Sequence, residues 1–200
     1  MKIIYSLFLF VAFLSFVSEP LTEKERKDAD KFLAESEKEV FKTIDKLTDA
    51  QLTFKAAPDK WSVQDCMYHI AATEKGLGSM LEASLKDSAH PEKRKDIKWT
   101  DEDVKKNIES RENKVKTSPQ LEPQNTGFKT MAEATASFKE NRDKLINFVK
   151  TTPDDLRNHI VTMPFGSLDD YQMVLFIGAH TNRHVAQMKE VMADPNFPKK

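Results

Sequence analysis

The chain has 200 residues, enough for one domain that buries a hydrophobic core without disulfides. Its 31 basic and 32 acidic residues nearly cancel, which argues against the basic surface of a nucleic-acid-binding protein. Five glycines are few for an all-β protein, which needs many tight turns. A single cysteine, Cys66, excludes an internal disulfide and a cysteine-based zinc site.

The N-terminus carries an apolar run over residues 3–17, preceded by one lysine and interrupted by two serines and one tyrosine. A run of this length fits a secretory signal peptide better than a membrane span, which needs about twenty residues. We therefore predict export to the periplasm or the medium, with residues 1–18 as the signal peptide. Because Phe16 violates the small-residue preference before a cleavage point after Ser18, an uncleaved anchor stays open, and membrane contact is expected only in that case.

Four long amphipathic helices follow, each opened by an N-cap residue and carrying apolar residues at helical spacing. The predicted first helix runs from a Thr22 capping box to about Lys46. The second begins after Ser62, the third at Thr130, and the fourth after Ser167. The fourth helix is ended by the Asp-Pro pair at 194–195. The pattern predicts an all-α four-helix bundle over residues 22–194, with one long crossover connection.

The segments between these helices predict smaller elements. A short, superficial helix is expected from Thr100 to about Lys114, and residues 117–127 form the proline-containing crossover over the surface. Thr152 and Pro153 predict a further turn of helix, and residues 161–166 are extended and turn-like. No segment shows the strand period for more than a few residues.

His180 and His184 are the sharpest functional signal. They lie four residues apart, so one helix face presents both, and that face is otherwise apolar (Val174, Ile177, Met188 and Val191). Such a pair can hold one metal ion if a third ligand comes from elsewhere. Hydrogen-bonded core histidines are the alternative. Thr181 follows the first histidine where zinc proteases have a glutamate, which excludes that motif.

Three residues of the second helix surround the expected site. His69 lies at the edge of the apolar stripe and is weak evidence by itself. Glu74 lies almost on its central line, where a carboxylate acts either as a general base or second-shell acceptor, or pairs structurally with a basic residue. Cys66 is favoured as a packing thiol over a ligand. Trp61, which precedes this helix, is expected to pack the end of the bundle.

Two signatures in this sequence resemble those of DinB-like proteins. The first comprises residues 52–63 with His69-Ile70 and Glu74; the second comprises residues 165–168 with Phe176-Ile177, His180, Arg183-His184 and Gln187. The resemblance covers about residues 25–193. It implies a four-helix bundle of a metal-dependent enzyme type, in which His69, His180 and His184 bind a divalent metal. It also implies a homodimer. His90 and His159 fall outside both signatures and are expected to be solvated.

Three neutral imidazoles leave an open coordination position for water or substrate, as in catalytic sites. A metal held there lowers the pKa of bound water to about 7 or activates a thiolate. The resemblance therefore implies a metal-dependent hydrolase or thiol-type group transferase acting on a small molecule. Zinc is the expected ion, and nickel, iron and manganese accept the same ligands. The alternative is a non-catalytic exported bundle that binds a metal, a small ligand or a partner protein, because the sequence shows no identifiable base or nucleophile beyond the ligands. Low-molecular-weight thiols are scarce in oxidising compartments, so an exported thiol transferase would need a different substrate or have another task.

Overall fold

Helices make up most of the computed structural model, which describes residues 20–112 and 116–199. The predicted signal peptide, residues 1–18, lies outside these residues. The α-helices are α1 (Glu23–Ile44), α2 (Asp49–Thr53), α3 (Val63–Ser84), α4 (Asp101–Glu109), α5 (Met131–Thr151) and α6 (Asp170–Met192). Short 3₁₀ helices occur at Pro91–Asp96, Pro119–Leu121 and Pro123–Asn125, and two strands are β1 (Ile160–Met163) and β2 (Gly166–Asp169).

The four long helices α1, α3, α5 and α6 form a bundle. Helix α1 packs against α5 and α6, and α3 packs against the same two helices, so that α1 and α3 lie diagonally. The predicted four-helix bundle is confirmed. Among the residues described, no helix combines the length and the apolar character needed to cross a membrane.

Predicted caps fix where two of these helices begin. The Thr22 side chain accepts the Glu25 backbone N–H, and the Glu25 carboxylate accepts the Thr22 backbone N–H at 2.7 Å. Ser62 and Asp65 form the same reciprocal pair at the start of α3, with both distances 3.0 Å. Each such cap contributes about 1 kcal/mol. The Ser62 cap also sets the phase of α3, and therefore the face on which its later residues lie.

The start of α6 corrects the sequence prediction. Ser167 does not cap this helix, because it belongs to β2 and pairs with Thr162 of the antiparallel strand β1. The cap is Asp169, whose Oδ1 accepts the Gln172 backbone N–H at 2.7 Å. The extended segment predicted before α6 belongs to this hairpin. The pairing of β1 with β2 overrides the local capping signal of Ser167.

Two further expectations were wrong. Helix α4 ends at Glu109 instead of about Lys114, and it is not superficial, because Val104 is fully buried and the helix packs against α6. No helix forms at residues 153–155. Thr152 is extended (φ −61°, ψ 133°), as expected of a residue that precedes a proline, and its hydroxyl accepts the Asp154 N–H instead.

One buried arginine joins all four long helices. From α5, Arg142 Nε and Nη2 donate to the two carboxylate oxygens of Glu74 on α3, at 2.6 and 2.8 Å. Its Nη1 donates to the Leu33 carbonyl at 2.9 Å and to the Ser36 hydroxyl, both on α1. Nη2 also donates to Thr181 Oγ1 on α6 at 3.0 Å. Arg142 has no exposed surface, so its charge depends entirely on these partners.

Candidate metal centre

Three histidines meet where α3 packs against α6. His180 Nε2 lies 3.3 Å from His69 Nε2 and 3.2 Å from His184 Nε2. All three ring nitrogens that could bind a metal lie within 4.8 Å of one another. His69 and His184 are buried, whereas His180 is partly exposed. The structure thus brings together the three residues that the sequence signatures indicate as ligands.

Hydrogen bonds on the opposite side of two rings fix their tautomers. His69 Nδ1 faces the Leu121 carbonyl at 2.8 Å, and His184 Nδ1 faces Gln187 Oε1 at 3.1 Å. Arg111 Nη1 donates to the same Gln187 oxygen at 3.1 Å, so that atom is an acceptor. Each Nδ1 therefore carries the proton, and each Nε2 presents a lone pair to the centre of the cluster.

The cluster is also neutral. Burial and the neighbouring His69 lower the pKa of His180 to about 3. Burial, followed by the neighbouring His180, holds the pKa of His184 well below its ordinary value. Burial lowers the pKa of His69 as well, although its bond to Leu121 opposes this. Neutral imidazoles are the form that binds a metal.

The distances from His180 Nε2 to the other two nitrogens fit a tetrahedral metal ion. Zinc–nitrogen bonds of about 2.0–2.1 Å at tetrahedral angles place the ligand nitrogens about 3.3–3.4 Å apart. The observed separations of 3.3 and 3.2 Å match this value. The Nε2 lone pairs of His69 and His184 both face His180 Nε2, and a cation between the three rings would be bound by one nitrogen of each. The residues present therefore fit a divalent metal.

Aromatic rings cover the histidines. Trp61 packs against His69 with ring centroids 4.9 Å apart and stacks on His184 at 5.8 Å. Phe176 stacks on His180 at 5.9 Å, with an angle of 18° between the planes. Trp61 thus supports two of the candidate ligands and does more than pack the end of the bundle. These contacts restrict the rotation of each imidazole.

Two candidates from α3 have structural partners. Both carboxylate oxygens of Glu74 are bound by Arg142, so the expectation of a structural ion pair is confirmed, while a catalytic role of Glu74 stays a prediction. Burial raises the pKa of the Glu74 carboxyl, and Arg142 opposes this effect. Cys66 is fully buried in an apolar cluster, where burial raises the pKa of its thiol. Cys66 is therefore an unreactive packing residue.

The other histidines lie elsewhere. His90 is half-exposed, and its Nδ1 lies 3.0 Å from the Glu92 carboxylate. His159 is partly buried, and its Nδ1 donates to the Ser84 carbonyl at 3.1 Å. Neither belongs to the three-histidine cluster.

The structure adds supporting residues that the sequence did not indicate as such. Arg111 Nε and Nη2 donate to the Glu190 carboxylate at 3.1 and 2.8 Å, which holds Arg111 against Gln187. Gln187 stands three residues after His184, a spacing that signals contact on a helix. Arg111 and the Leu121 carbonyl are remote in sequence from the histidines, and no local pattern could have revealed them.

A sequence model of the DinB superfamily matches residues 33–188, a range that contains all three histidines. The chain belongs to the DinB superfamily. Among curated relatives, the uncharacterized protein YuaE of Bacillus subtilis (strain 168) is 25% identical over 158 residues, which are 78% of this chain and 93% of YuaE.

Among solved structures, this DinB-superfamily chain resembles YfiT from Bacillus subtilis. The two share 15% sequence identity with a TM-score of 0.59, over 87% of this chain and 89% of YfiT. At that identity the likeness establishes the fold. YfiT itself is described as a probable metal-dependent hydrolase with an unusual four-helix bundle topology.

Proposed function

We propose that this protein is a metal-dependent hydrolase of a small molecule, with one divalent ion held by Nε2 of His69, His180 and His184. The observation that carries this proposal is the convergence of three neutral imidazole nitrogens at spacings of 3.2 and 3.3 Å. The description of YfiT as a probable metal-dependent hydrolase supports it. Zinc is the proposed ion, and nickel, iron or manganese would occupy the same ligands.

His69, His180 and His184 would hold the divalent ion as neutral ligands, and the ion would supply a Lewis acid that lowers the pKa of bound water to about 7 or activates a thiolate. The chain's own residues hold and orient the ligands. The Leu121 carbonyl and Gln187 fix the tautomers of His69 and His184, and Trp61 shields both rings from solvent. Transfer to a thiol therefore stays within the proposal beside hydrolysis.

The alternative is a non-catalytic bundle that binds a metal or a small ligand. One observation favours it: within residues 20–112 and 116–199, the hydrogen bonds of the three imidazoles reach each other, Leu121 and Gln187 but no carboxylate. Among the described residues, no carboxylate is therefore hydrogen-bonded to a candidate ligand. A metal-loaded protein that hydrolyses neither esters nor amides and transfers no thiol would favour this alternative.

Elemental analysis of the natively purified protein tests the metal site. We expect one divalent ion per chain in the wild type, and its loss in His69→Ala, His180→Ala and His184→Ala. His159→Ala is the matched control, because His159 is also partly buried and hydrogen-bonded but lies outside the cluster. Full metal content in His184→Ala, or a metal-free wild type that binds no added zinc, would overturn the proposal.

We also propose that the protein is exported and forms a homodimer. The apolar run at residues 3–17 supports secretion, and family resemblance supports a homodimer. Cell fractionation followed by N-terminal sequencing tests the first, with an exported chain that begins near residue 19 as the expected result. Sedimentation equilibrium tests the second, and a monomer mass would contradict it.

A further inference from the structure

An aromatic stack extends from the metal centre to the surface. Beyond His180, the Phe176 ring stacks on Phe165 at 5.6 Å, and Phe165 stacks on Trp99 at 5.3 Å. The planes are nearly parallel, with angles of 17° and 12°. We name Trp99, Phe165 and Phe176 the aromatic ledge. The ledge begins at the partly exposed histidine of the cluster, which is the side from which a molecule can reach the centre.

The most exposed ring of the ledge, Phe165, is held in place by a tight turn. Met163 pairs with Gly166, so Pro164 and Phe165 form the two-residue loop of the β1–β2 hairpin. Gly166 has φ +138°, a conformation that side-chain-bearing residues rarely adopt. Phe165 is nevertheless 41% exposed at this tip, where polar residues and glycine are the usual choice. Because this partly exposed ring continues the stack that begins at His180, the tip of the hairpin is a candidate contact for a ligand of the metal centre.

The neighbouring face of α3 is also open and apolar. At 100° per residue, Gly76 and Met80 point within about 20° of the direction of His69. Met80 is 40% exposed, and a Cβ added to Gly76 would meet no atom within 4 Å. In the described part of the chain, Met80 and Phe165 are the exposed large hydrophobic residues.

Met80 and the hairpin lie at the same end of the bundle. His159 joins the end of α3 to the start of α6, because its Nδ1 donates to the Ser84 carbonyl at 3.1 Å and its carbonyl accepts the Asp170 N–H at 3.0 Å. The two helices are therefore antiparallel. The aromatic ledge and the face of α3 at Met80 both extend from this end of the bundle towards the histidines.

We propose that the aromatic ledge binds a flat apolar group, such as an aromatic ring, of the molecule that reacts at the metal centre. The proposal rests on the proposed function, because it requires a metal that an organic ligand can reach. The group lies against the exposed ring of Phe165 and the partly exposed ring of Trp99, which places the polar end of the same molecule beside His180. The substrate class is thus a small aromatic compound with a metal-binding or hydrolysable polar group.

Two hydroxamates test the ledge on the zinc-loaded, full-length protein. Acetohydroxamate and 2-naphthohydroxamate bind a metal through the same group, and only the second carries a flat apolar ring. By isothermal titration calorimetry we expect 2-naphthohydroxamate to bind at least about tenfold more tightly. Phe165→Ala should weaken 2-naphthohydroxamate about threefold to tenfold and leave acetohydroxamate unchanged, as expected for the loss of one aromatic stacking partner.

Two controls accompany this variant. Phe165→Tyr keeps the ring and should keep the affinity for both hydroxamates. Phe197→Ala removes a partly exposed phenylalanine from another aromatic pair, with Phe54 at 5.5 Å, and should change neither affinity. Phe165 lies at an exposed turn, so its replacement by alanine should leave the fold intact, as circular dichroism would verify.

Equal effects of Phe165→Ala on the two hydroxamates, or no effect on either, would overturn the ledge while leaving the metal centre in place. Failure of both hydroxamates to bind the zinc-loaded wild type would instead overturn the proposed function, and the ledge proposal with it. A change of oligomeric mass in Phe165→Ala, with an unchanged ratio of the two affinities, would show that a second copy of the chain covers the ledge, and would overturn the proposal.

Discussion

Two polar clusters lie inside the bundle, the Arg142–Glu74 pair and the three histidines. Arg142 and Glu74 form two parallel hydrogen bonds, and the other guanidinium bonds go to Leu33, Ser36 and Thr181. Each N–H donor of Arg142 therefore faces an oxygen acceptor of the protein. In the histidine cluster, the Nε2 lone pairs of His69 and His184 both face the single Nε2 of His180, at 3.3 and 3.2 Å.

This difference distinguishes polar residues that stabilise the core from polar residues that could bind a ligand. A buried ion pair whose hydrogen bonds are all made within the protein requires nothing from outside. A single N–H on His180 Nε2 can satisfy the lone pair of His69 or that of His184 but not both, whereas a cation would be bound by all three nitrogens, and this geometry identifies the candidate site more firmly than the presence of histidines does. Glu74 and His69 are both polar residues of α3 on or near its buried face, and only their partners distinguish them.

Removing the charge of Glu74 should have the largest effect on stability. Glu74→Gln leaves the fully buried Arg142 cation without its counter-charge, which should cost about 3–5 kcal/mol of unfolding free energy in urea denaturation. Metal content should be unchanged, because Glu74 bonds to Arg142 in the interior. If Glu74 is instead a catalytic base, activity will fall in a variant of nearly wild-type stability.

An exposed pair provides the matched control for that variant. Lys144 and Glu140 form an i, i+4 ion pair at 2.6 Å with side chains 66% and 64% exposed. Lys144→Ala should cost less than about 1 kcal/mol, because solvent screens such pairs. A double replacement of Glu74 by Leu and Arg142 by Met should recover much of the stability lost in Glu74→Gln.

Acid should weaken the metal-free histidine cluster. Burial lowers the pKa of His180 in the folded protein to about 3, from an ordinary value of 6.5. Below pH 6.5 the unfolded chain therefore binds a proton at His180 that the folded chain does not bind. The stability contributed by neutral His180 is therefore present above pH 6.5 and is lost as the pH falls towards 3. From pH 7 to 5, the wild type in chelator should lose about 1–2 kcal/mol relative to His180→Phe. Parallel pH profiles of the two proteins would contradict a neutral His180.

The smallest expected effect concerns the residue that supports His184. Gln187→Ala removes the acceptor of His184 Nδ1–H and should weaken zinc binding about tenfold, with little change in the free energy of unfolding. Competition with a chromophoric chelator measures this affinity. Gln187→Glu should restore binding, since a carboxylate also accepts that proton. Equal zinc affinities for wild type and Gln187→Ala would show that the hydrogen bond does not support the ligand.

Local sequence signals predicted the parts of the structure that depend on neighbouring residues. The capping pairs at Thr22 and Ser62 lie within one turn, and the spacing of His180 and His184 fixes their common face. A helical phase, once started at a correct cap, also carries His69 to the buried side of α3.

The remaining features depend on contacts between residues distant in the chain. The hairpin was missed because strands of four residues leave no periodic signal, and so Ser167 resembled a cap. Arg142 lies 68 residues from Glu74, and the Leu121 carbonyl lies 52 residues from His69. A backbone carbonyl carries no side-chain signature at all, and so the support of His69 by the crossover segment could only be seen in three dimensions.

The diagonal placement of α1 and α3 has a consequence for how the chain folds. Successive long helices usually form an antiparallel hairpin early, but here α1 packs on α5 and α6, which lie far along the chain, instead of on the next long helix, α3. Helix α1 can pack only after α5 and α6 have formed. Arg142 makes all its hydrogen bonds only when the four long helices are assembled. Fragments ending before α5 should therefore stay unfolded, and refolding should be slow and concerted for an all-helical protein of this size.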